Sequence, residues 1–283
     1  MRKARNIAFQ TLAALCAAAS FGVLALILAA ILFRGLPAVS WRFLTEQIRL
    51  VGADGGIFFN LVGTLILMVT ALLVSSPLAI GIALTHSIYL QSAILRRRIL
   101  LLLYLLNGVP SLLFGIFGFI LFVKYLGWGK SWLSGGILLG MMILPTVTIA
   151  LVERIASLPR AYTEAAAGLG LTAAQTIWSV ILPQSLGGLV TGSLLGLARA
   201  AGETAPIMFT ATIFAGAHLP DGIKESPVLS LPYHIFILAQ DSFDPSVGAK
   251  VWGTAVVLLA LVCGLSLIAL PLRLRIHEEA RNG

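Results

Sequence analysis

Charge is what this sequence has least of. Only 11% of its 283 residues are Asp, Glu, Lys or Arg, while 59% are hydrophobic, and the mean hydropathy is +1.00. A water-soluble domain covers itself with about a quarter charged residues. This chain cannot, so a soluble globular fold is excluded and lipid is its main solvent. Acidic residues are scarcer than basic ones, 11 against 19, which leaves a formal charge of +8. The basic residues stand at the ends of apolar runs rather than forming a basic face. That is the placement of orientation signals, and it excludes a nucleic-acid partner. Cysteine is nearly absent: Cys16 and Cys263 lie in apolar runs far apart in the chain. They read as small packing residues, with no disulfide framework and no metal-ligand spacing. The four histidines are scattered, so no metal site is expected. Tandem repeats, low-complexity tracts and a separate soluble domain are missing too.

Apolar runs are what the sequence has in quantity. They cover 12–33, 58–84, 99–123, 133–152, 186–213 and 251–272, each near or above the ~20 residues that a helix needs to cross hydrocarbon. The expected fold is all-α, a polytopic membrane protein with six transmembrane helices. Residues 1–57 form the first helix and an outer loop, 58–272 the core with a cytoplasmic loop at 153–184, and 273–283 a cytoplasmic tail. Met1-Arg-Lys-Ala-Arg5 and the first run imitate a signal peptide, with Ala17-Ala18-Ala19 as a decoy cleavage site. The run continues past the decoy and is too long for a signal, so it is expected to remain as a span.

Orientation follows from loop Lys and Arg. With the N-terminus inside, the inner side holds Arg2, Lys3, Arg5, Arg96, Arg97, Arg98, Arg154, Arg160, Arg273, Arg275 and Arg281. The outer side holds Arg34, Arg42, Arg49, Lys124, Lys130, Lys224 and Lys250. Both termini are therefore expected in the cytoplasm of a multi-pass protein of the bacterial plasma (inner) membrane.

Pro77, Pro110, Pro145 and Pro206 fall inside the expected spans, where each removes a helix hydrogen bond that neighbouring helices or water must replace. Asn107-Gly-Val-Pro-Ser111 is the sharpest break. It reads equally as a pathway lining or as a kink that improves packing. In the outer loop at 216–248, the apolar run 231–239 is too short to span, so it is expected to lie on or dip into the outer surface. Trp41-Arg-Phe-Leu44 reads as an interfacial anchor. Gly129-Lys130-Ser131 has the ending of a nucleotide-binding loop, but Lys124 stands where the first glycine is required. No ATP site is expected in this chain.

The stretch from Ser157 to Pro206 joins water to membrane. Ser157 is placed to cap a helix with Pro159 in its first turn, and Gly168 and Gly170 are placed to stop it. Thr172-Ala-Ala-Gln175 is a capping-box pattern opening a second helix, with Ala173, Ile177, Val180 and Ile181 on one face and Pro183 closing it. Two short helices at an angle result. They form either a knuckle that docks a soluble partner or a plain elbow between spans. Further on, Gly188, Gly192, Gly196 and Ala200 recur every fourth residue, a stripe that lets another helix approach closely. Arg199 and Glu203 lie one turn apart beside that stripe and can pair. A lone arginine at mid-bilayer costs at least ~2.5–3.5 kcal/mol, so these charges face protein or water. They are either a structural ion pair or a pair that meets a passing anion, and guanidinium geometry suits a tetrahedral oxyanion.

Glu164-Ala165-Ala166, then Gly170, then Leu182-Pro183 resembles the EAA loop of ABC-importer permeases, with Val180 where isoleucine is usual. Ser76-Pro-Leu-Ala-Ile-Gly-Ile-Ala-Leu84, Gly108-Val-Pro-Ser111, Ala198-Arg-Ala-Ala-Gly-Glu-Thr204-Ala-Pro206 and Leu231-Pro-Tyr-His-Ile-Phe236 resemble the phosphate-specific branch, its PstA type most closely. The resemblance runs from Phe58 to the C-terminus, while the first span is generic. It implies a MetI-like permease that translocates inorganic phosphate and performs no catalysis. It implies a substrate pathway at Arg199, Glu203, Thr204, Asn107 and Ser111, and ATPase coupling at Arg160, Glu164, Ala165, Ala166, Gly170, Leu182 and Pro183. The implied partners are a sister permease subunit, two copies of a cytoplasmic ATPase, an external phosphate-binding protein and membrane lipid. ATP and Mg would sit on the ATPase, with no cofactor in this chain. Permeases for sulfate or molybdate share that machinery. An ion-coupled secondary transporter requires no docking loop, and a scaffold subunit leaves Arg199 and Glu203 without a task.

Overall fold

The computed structural model describes residues 2–49, 54–214, 219–241 and 245–282. Twelve α-helices occupy most of that chain. Helix α1 (Arg2–Gly35) carries the first apolar run and leads through a single turn to α2 (Trp41–Thr45). Ser40 caps α2 by accepting the Phe43 N–H at 3.2 Å. Phe43 is buried and Trp41 is 79% exposed. A two-stranded antiparallel hairpin, β1 (Ile48–Arg49) with β2 (Asp54–Gly55), follows. Together with an isolated bridge between Thr212 and Val228, it departs from the all-helical expectation among the described residues.

The next spans build the core. Helix α3 (Phe58–Leu84) coincides with its apolar run and keeps Pro77 inside. Helix α6 (Trp132–Ala156) likewise keeps Pro145. Between them the run at 99–123 is not one straight helix. It divides into α4 (Ala93–Asn107) and α5 (Ser111–Gly118), extended by a π-helical stretch to Tyr125, with a 90° bend at the break. Pro110 therefore precedes a helix rather than lying within one. With no N–H to give and a ring that disfavours helix before it, it ends α4 and starts α5.

Beyond the short helices α7 (Arg160–Gly168) and α8 (Ala173–Thr176), the fifth span also departs from expectation. It runs without a stop through a π-helical stretch, Ile177–Ile181, into α9 (Leu182–Gly202). Pro183 does not close the helix. The ladder widens first, with the Leu182 N–H donating to the Ile177 carbonyl, and a wider turn relieves the clash between a proline ring and the carbonyl four residues back. The span ends at Gly202 instead of 213, and α10 (Ala205–Thr210) takes over with Pro206 in its first turn.

Helices α3, α6 and α9 share the main core, in which Leu67, Ala71, Leu139, Met142, Ile143, Val147 and Ala200 are buried. The small-residue stripe does what its spacing predicts. Gly188, Gly192 and Gly196 face Arg154, Ala150, Val147 and Ile143 of α6, and a Cβ at Gly192 would lie 2.9 Å from both Ala150 Cβ and Val147 Cα. Without side chains in the way, the two backbones come into direct contact.

Helix α11 (Leu231–Leu238) dips further than a surface segment. Leu231, His234 and Leu238 are buried against α3 and α12 (Pro245–Asn282). Burial, with a smaller push from Lys250, lowers the His234 pKa to about 4. The loop at 216–248 is tied to the start of α6, since Trp132 Nε1 donates to the Gly222 carbonyl at 2.8 Å. Residues 215–218 and 242–244 of that loop lie outside the described residues, as do the side chains of 273–283 in the tail. Cys16 and Cys263 are free and exposed on the helix surfaces, so they do not pack in this chain's own core. Among the described residues, five helices are long and apolar enough to cross a membrane, or six with α4 and α5 counted as one bent span.

Candidate functional site

Two helix breaks meet. The first is Gly108-Val109-Pro110 between α4 and α5. The second is Glu203-Thr204 between α9 and α10, where Glu203 is extended (ψ 128°). Gly115 of α5 lets α10 come close: a Cβ there would stand 2.9 Å from the Ala205 carbonyl and from the Phe209 ring. Packing α5 on α10 carries the end of α4 toward the end of α9.

Arg199, Glu203 and Asn107 come together at this point. Arg199 Nη1 donates to Asn107 Oδ1 at 2.6 Å, and Arg199 Nε lies 3.6 Å from Glu203 Oε1. A residue that the sequence does not mark completes the group: Thr146 of α6 donates its hydroxyl to the same Asn107 oxygen at 3.2 Å. Its one sequence signal is Pro145 beside it, and that reads as a kink. The Arg199 and Glu203 side chains are 29% and 16% exposed, low for charged groups, yet open to a small ion. Thr204 adjoins the cluster and starts α10 without a side-chain cap. Ser111 starts α5 four residues past Asn107 and makes no side-chain hydrogen bond among the described residues. The arrangement offers several N–H and O–H donors beside one carboxylate acceptor. It can hold an oxyanion briefly, and it contains no activated nucleophile. Among the described residues no cluster of His, Cys, Asp and Glu is able to hold a metal ion.

The second feature is the elbow. Ser157 does not cap α7. It closes α6, with its Oγ donating to the Arg154 carbonyl at 2.8 Å, because Pro159 instead takes the cap position of α7 in an extended conformation. Gly170 ends α7 with φ +72°, a left-handed backbone suited to glycine. The Leu169, Gly170 and Leu171 N–H groups donate to the carbonyls of Ala165, Ala167 and Ala166. The capping box is complete: Gln175 N donates to Thr172 Oγ1 at 3.3 Å, and Thr172 N to Gln175 Oε1 at 2.8 Å. Ala166, Ile177 and Ile181 are buried, Val180 is half-buried, and Ala173 is exposed. Arg160, Glu164, Ala165, Gly170 and Pro183 are exposed, and Leu182 is half-buried. Leu169 and Trp178, which sequence reasoning passed over, stand 80% and 71% exposed on this elbow.

Residues 75–274 match the family described as binding-protein-dependent transport system inner membrane component. Among curated proteins, the chain is 32% identical to the probable phosphate transport system permease protein PstA of Methanocaldococcus jannaschii, over 90% of this chain and 88% of that one. It is 31% identical to the phosphate transport system permease protein PstA 2 of Mycobacterium bovis, over 83% and 76%. Among solved structures, an inward-facing conformation of the MetNI methionine ABC transporter matches with TM-score 0.57 at 16% identity, covering 78% of this chain and 94% of that one. That last likeness concerns the fold alone.

Proposed function

The chain belongs to the family of binding-protein-dependent transport system inner membrane components, and from that membership we propose that it is the PstA-type permease of an ATP-driven phosphate importer. The observation that carries the reading is the meeting of Arg199, Asn107 and Glu203 at two facing helix breaks. Unwound backbone is tolerated at membrane depth only where it is buried in protein or lines a cavity, and an intramembrane arginine paired beside such a break marks an ion path.

Glu203 favours phosphate over the other oxyanions. At neutral pH phosphate keeps a P–OH proton that a carboxylate accepts. Sulfate and molybdate have none and meet Glu203 as like charges. One guanidinium suits brief passage, since conduction requires the ion to leave.

In this reading the elbow is the coupling element. Arg160, Glu164, Ala165, Ala166, Gly170, Leu182 and Pro183 shape it, and Leu169 and Trp178 give it apolar contacts for the ATPase. A sister permease stands beside this chain, two ATPase copies below carry ATP and Mg, and an external binding protein delivers phosphate. Both termini are cytoplasmic. ATP-driven closure of the ATPases tilts α6 and α9 through the elbow and switches access between the two sides.

The test is uptake by sealed vesicles containing the complete complex and its binding protein. Labelled phosphate should accumulate only with ATP on the cytoplasmic face and should persist when ion gradients are collapsed. Sulfate and molybdate should not accumulate. Uptake that follows an ion gradient without ATP would contradict the mechanism, and equal accumulation of sulfate would contradict the substrate.

A further inference from the structure

Three helices hold one amide. Arg199 of α9 and Thr146 of α6 both donate to Oδ1 of Asn107, the last residue of α4, at 2.6 and 3.2 Å. Arginine has donors only, so the amide must turn its oxygen toward Nη1. The Thr146 hydroxyl takes the second lone pair of that oxygen. The Asn107 N–H2 group is consequently turned away from both. It makes no hydrogen bond among the described residues, and Asn107 is exposed.

We infer that Thr146 is a positioning residue for transport: with Arg199 it locks the Asn107 amide so that its N–H2 group is offered to the passing oxyanion. The inference rests on the pathway role of Arg199 proposed above. Asn107 then adds two donors to those of Arg199, and Glu203 supplies the acceptor, so the set matches a partly protonated tetrahedral anion. The lock also has a release. Helix α6 is unbroken from Thr146 to Ala156, about 15 Å at 1.5 Å per residue, and Ser157–Pro159 joins it directly to α7 of the elbow. A tilt of α6 that draws Thr146 off Asn107 leaves the amide held by Arg199 alone, so it swings more widely. The donors then no longer converge, and the ion leaves.

Asn107→Asp separates this role from a structural one. The variant keeps an oxygen for Arg199 and Thr146 but replaces the N–H2 by a second carboxylate oxygen. In complexes purified and reconstituted with the binding protein, phosphate uptake by Asn107→Asp should fall ~10–100-fold, the worth of a hydrogen bond to a charged group, at normal complex yield. Thr146→Val, which removes only the hydroxyl, should lower the phosphate moved per ATP hydrolysed ~3–10-fold, and Thr146→Ser should restore it. If uptake by Asn107→Asp persists, or Thr146→Val couples normally, Asn107 is only a strut for Arg199 and the inference is overturned. Failure here and failure of the parent reading stay distinct. An inactive Arg199→Gln beside an active Asn107→Asp removes only this proposal, whereas an active Arg199→Gln removes both.

Discussion

The two ends of the fifth span are built by different physics. At the elbow, the chain obeys rules written within a few residues: Gly170 at φ +72°, then Thr172 and Gln175 closing a capping box. These groups are exposed and satisfied by their neighbours in sequence. At the other end, Arg199 finds Asn107, 92 residues away, and Asn107 finds Thr146, 39 residues away. Nothing local dictates those contacts. They exist because glycines let α9 lie against α6 and α5 lie against α10. An end that is capped locally can swing as a unit on a partner. An end held by three helices registers any change in how those helices sit.

The largest effect is expected at the glycine stripe. Gly192→Leu forces a side chain into α6 where a Cβ already meets Ala150 and Val147 at 2.9 Å. Overpacking costs about 1–3 kcal/mol and occasionally more, and here it falls on a backbone contact, so assembled complex should be lost from detergent extracts. Gly202→Ala, ten residues further on where a Cβ meets nothing within 4 Å, should assemble normally. Size-exclusion profiles of the two variants check the contrast, and equal yields would contradict close α6–α9 contact.

Intermediate effects belong to the elbow surface. Glu164→Lys reverses an exposed charge on α7, and Gly170→Val puts a branched residue at a positive φ, a strain of about 1–2 kcal/mol. Both chains should insert, yet co-purify with less ATPase or hydrolyse ATP without moving phosphate. Normal co-purification and uptake in both would remove the coupling role.

The smallest effect tests the local end alone. Thr172→Ala deletes the cap and should cost about 1 kcal/mol, seen as faster amide exchange at 173–176 with the Arg199 environment unchanged. A change at Arg199 instead would show that the two ends are not built independently.

The same contrast explains what was legible in the sequence. The apolar runs foretold the spans, and the capping box, Gly170 and the every-fourth-residue stripe were readable because each is a rule of spacing. Arg199 and Glu203 were readable as charges that lipid excludes. Pro183 misled, because the π-helical stretch that accommodates it spreads over five residues with no signature of its own. Ser157 misled because Pro159 set the phase of the next helix. The bend at 108–110 was visible as a break, but not as a 90° turn. Thr146 was not legible at all. A threonine in an apolar run is ordinary, and only the packing of α4 and α9 around α6 gives it a partner.

Arg199 is proposed to serve the passing anion rather than merely to neutralise Glu203. Arg199→Gln removes the charge, Arg199→Lys keeps charge without the planar fork, and Arg199→Gln/Glu203→Gln removes the pair together. The decisive measurement is phosphate uptake by these three complexes, normalised to complex purified from the membrane. A pathway role for Arg199 predicts normal assembly of the charge-free double variant with uptake near background, and only partial activity in Arg199→Lys. Full uptake by the double variant would contradict it and leave Arg199 as a structural partner of Glu203.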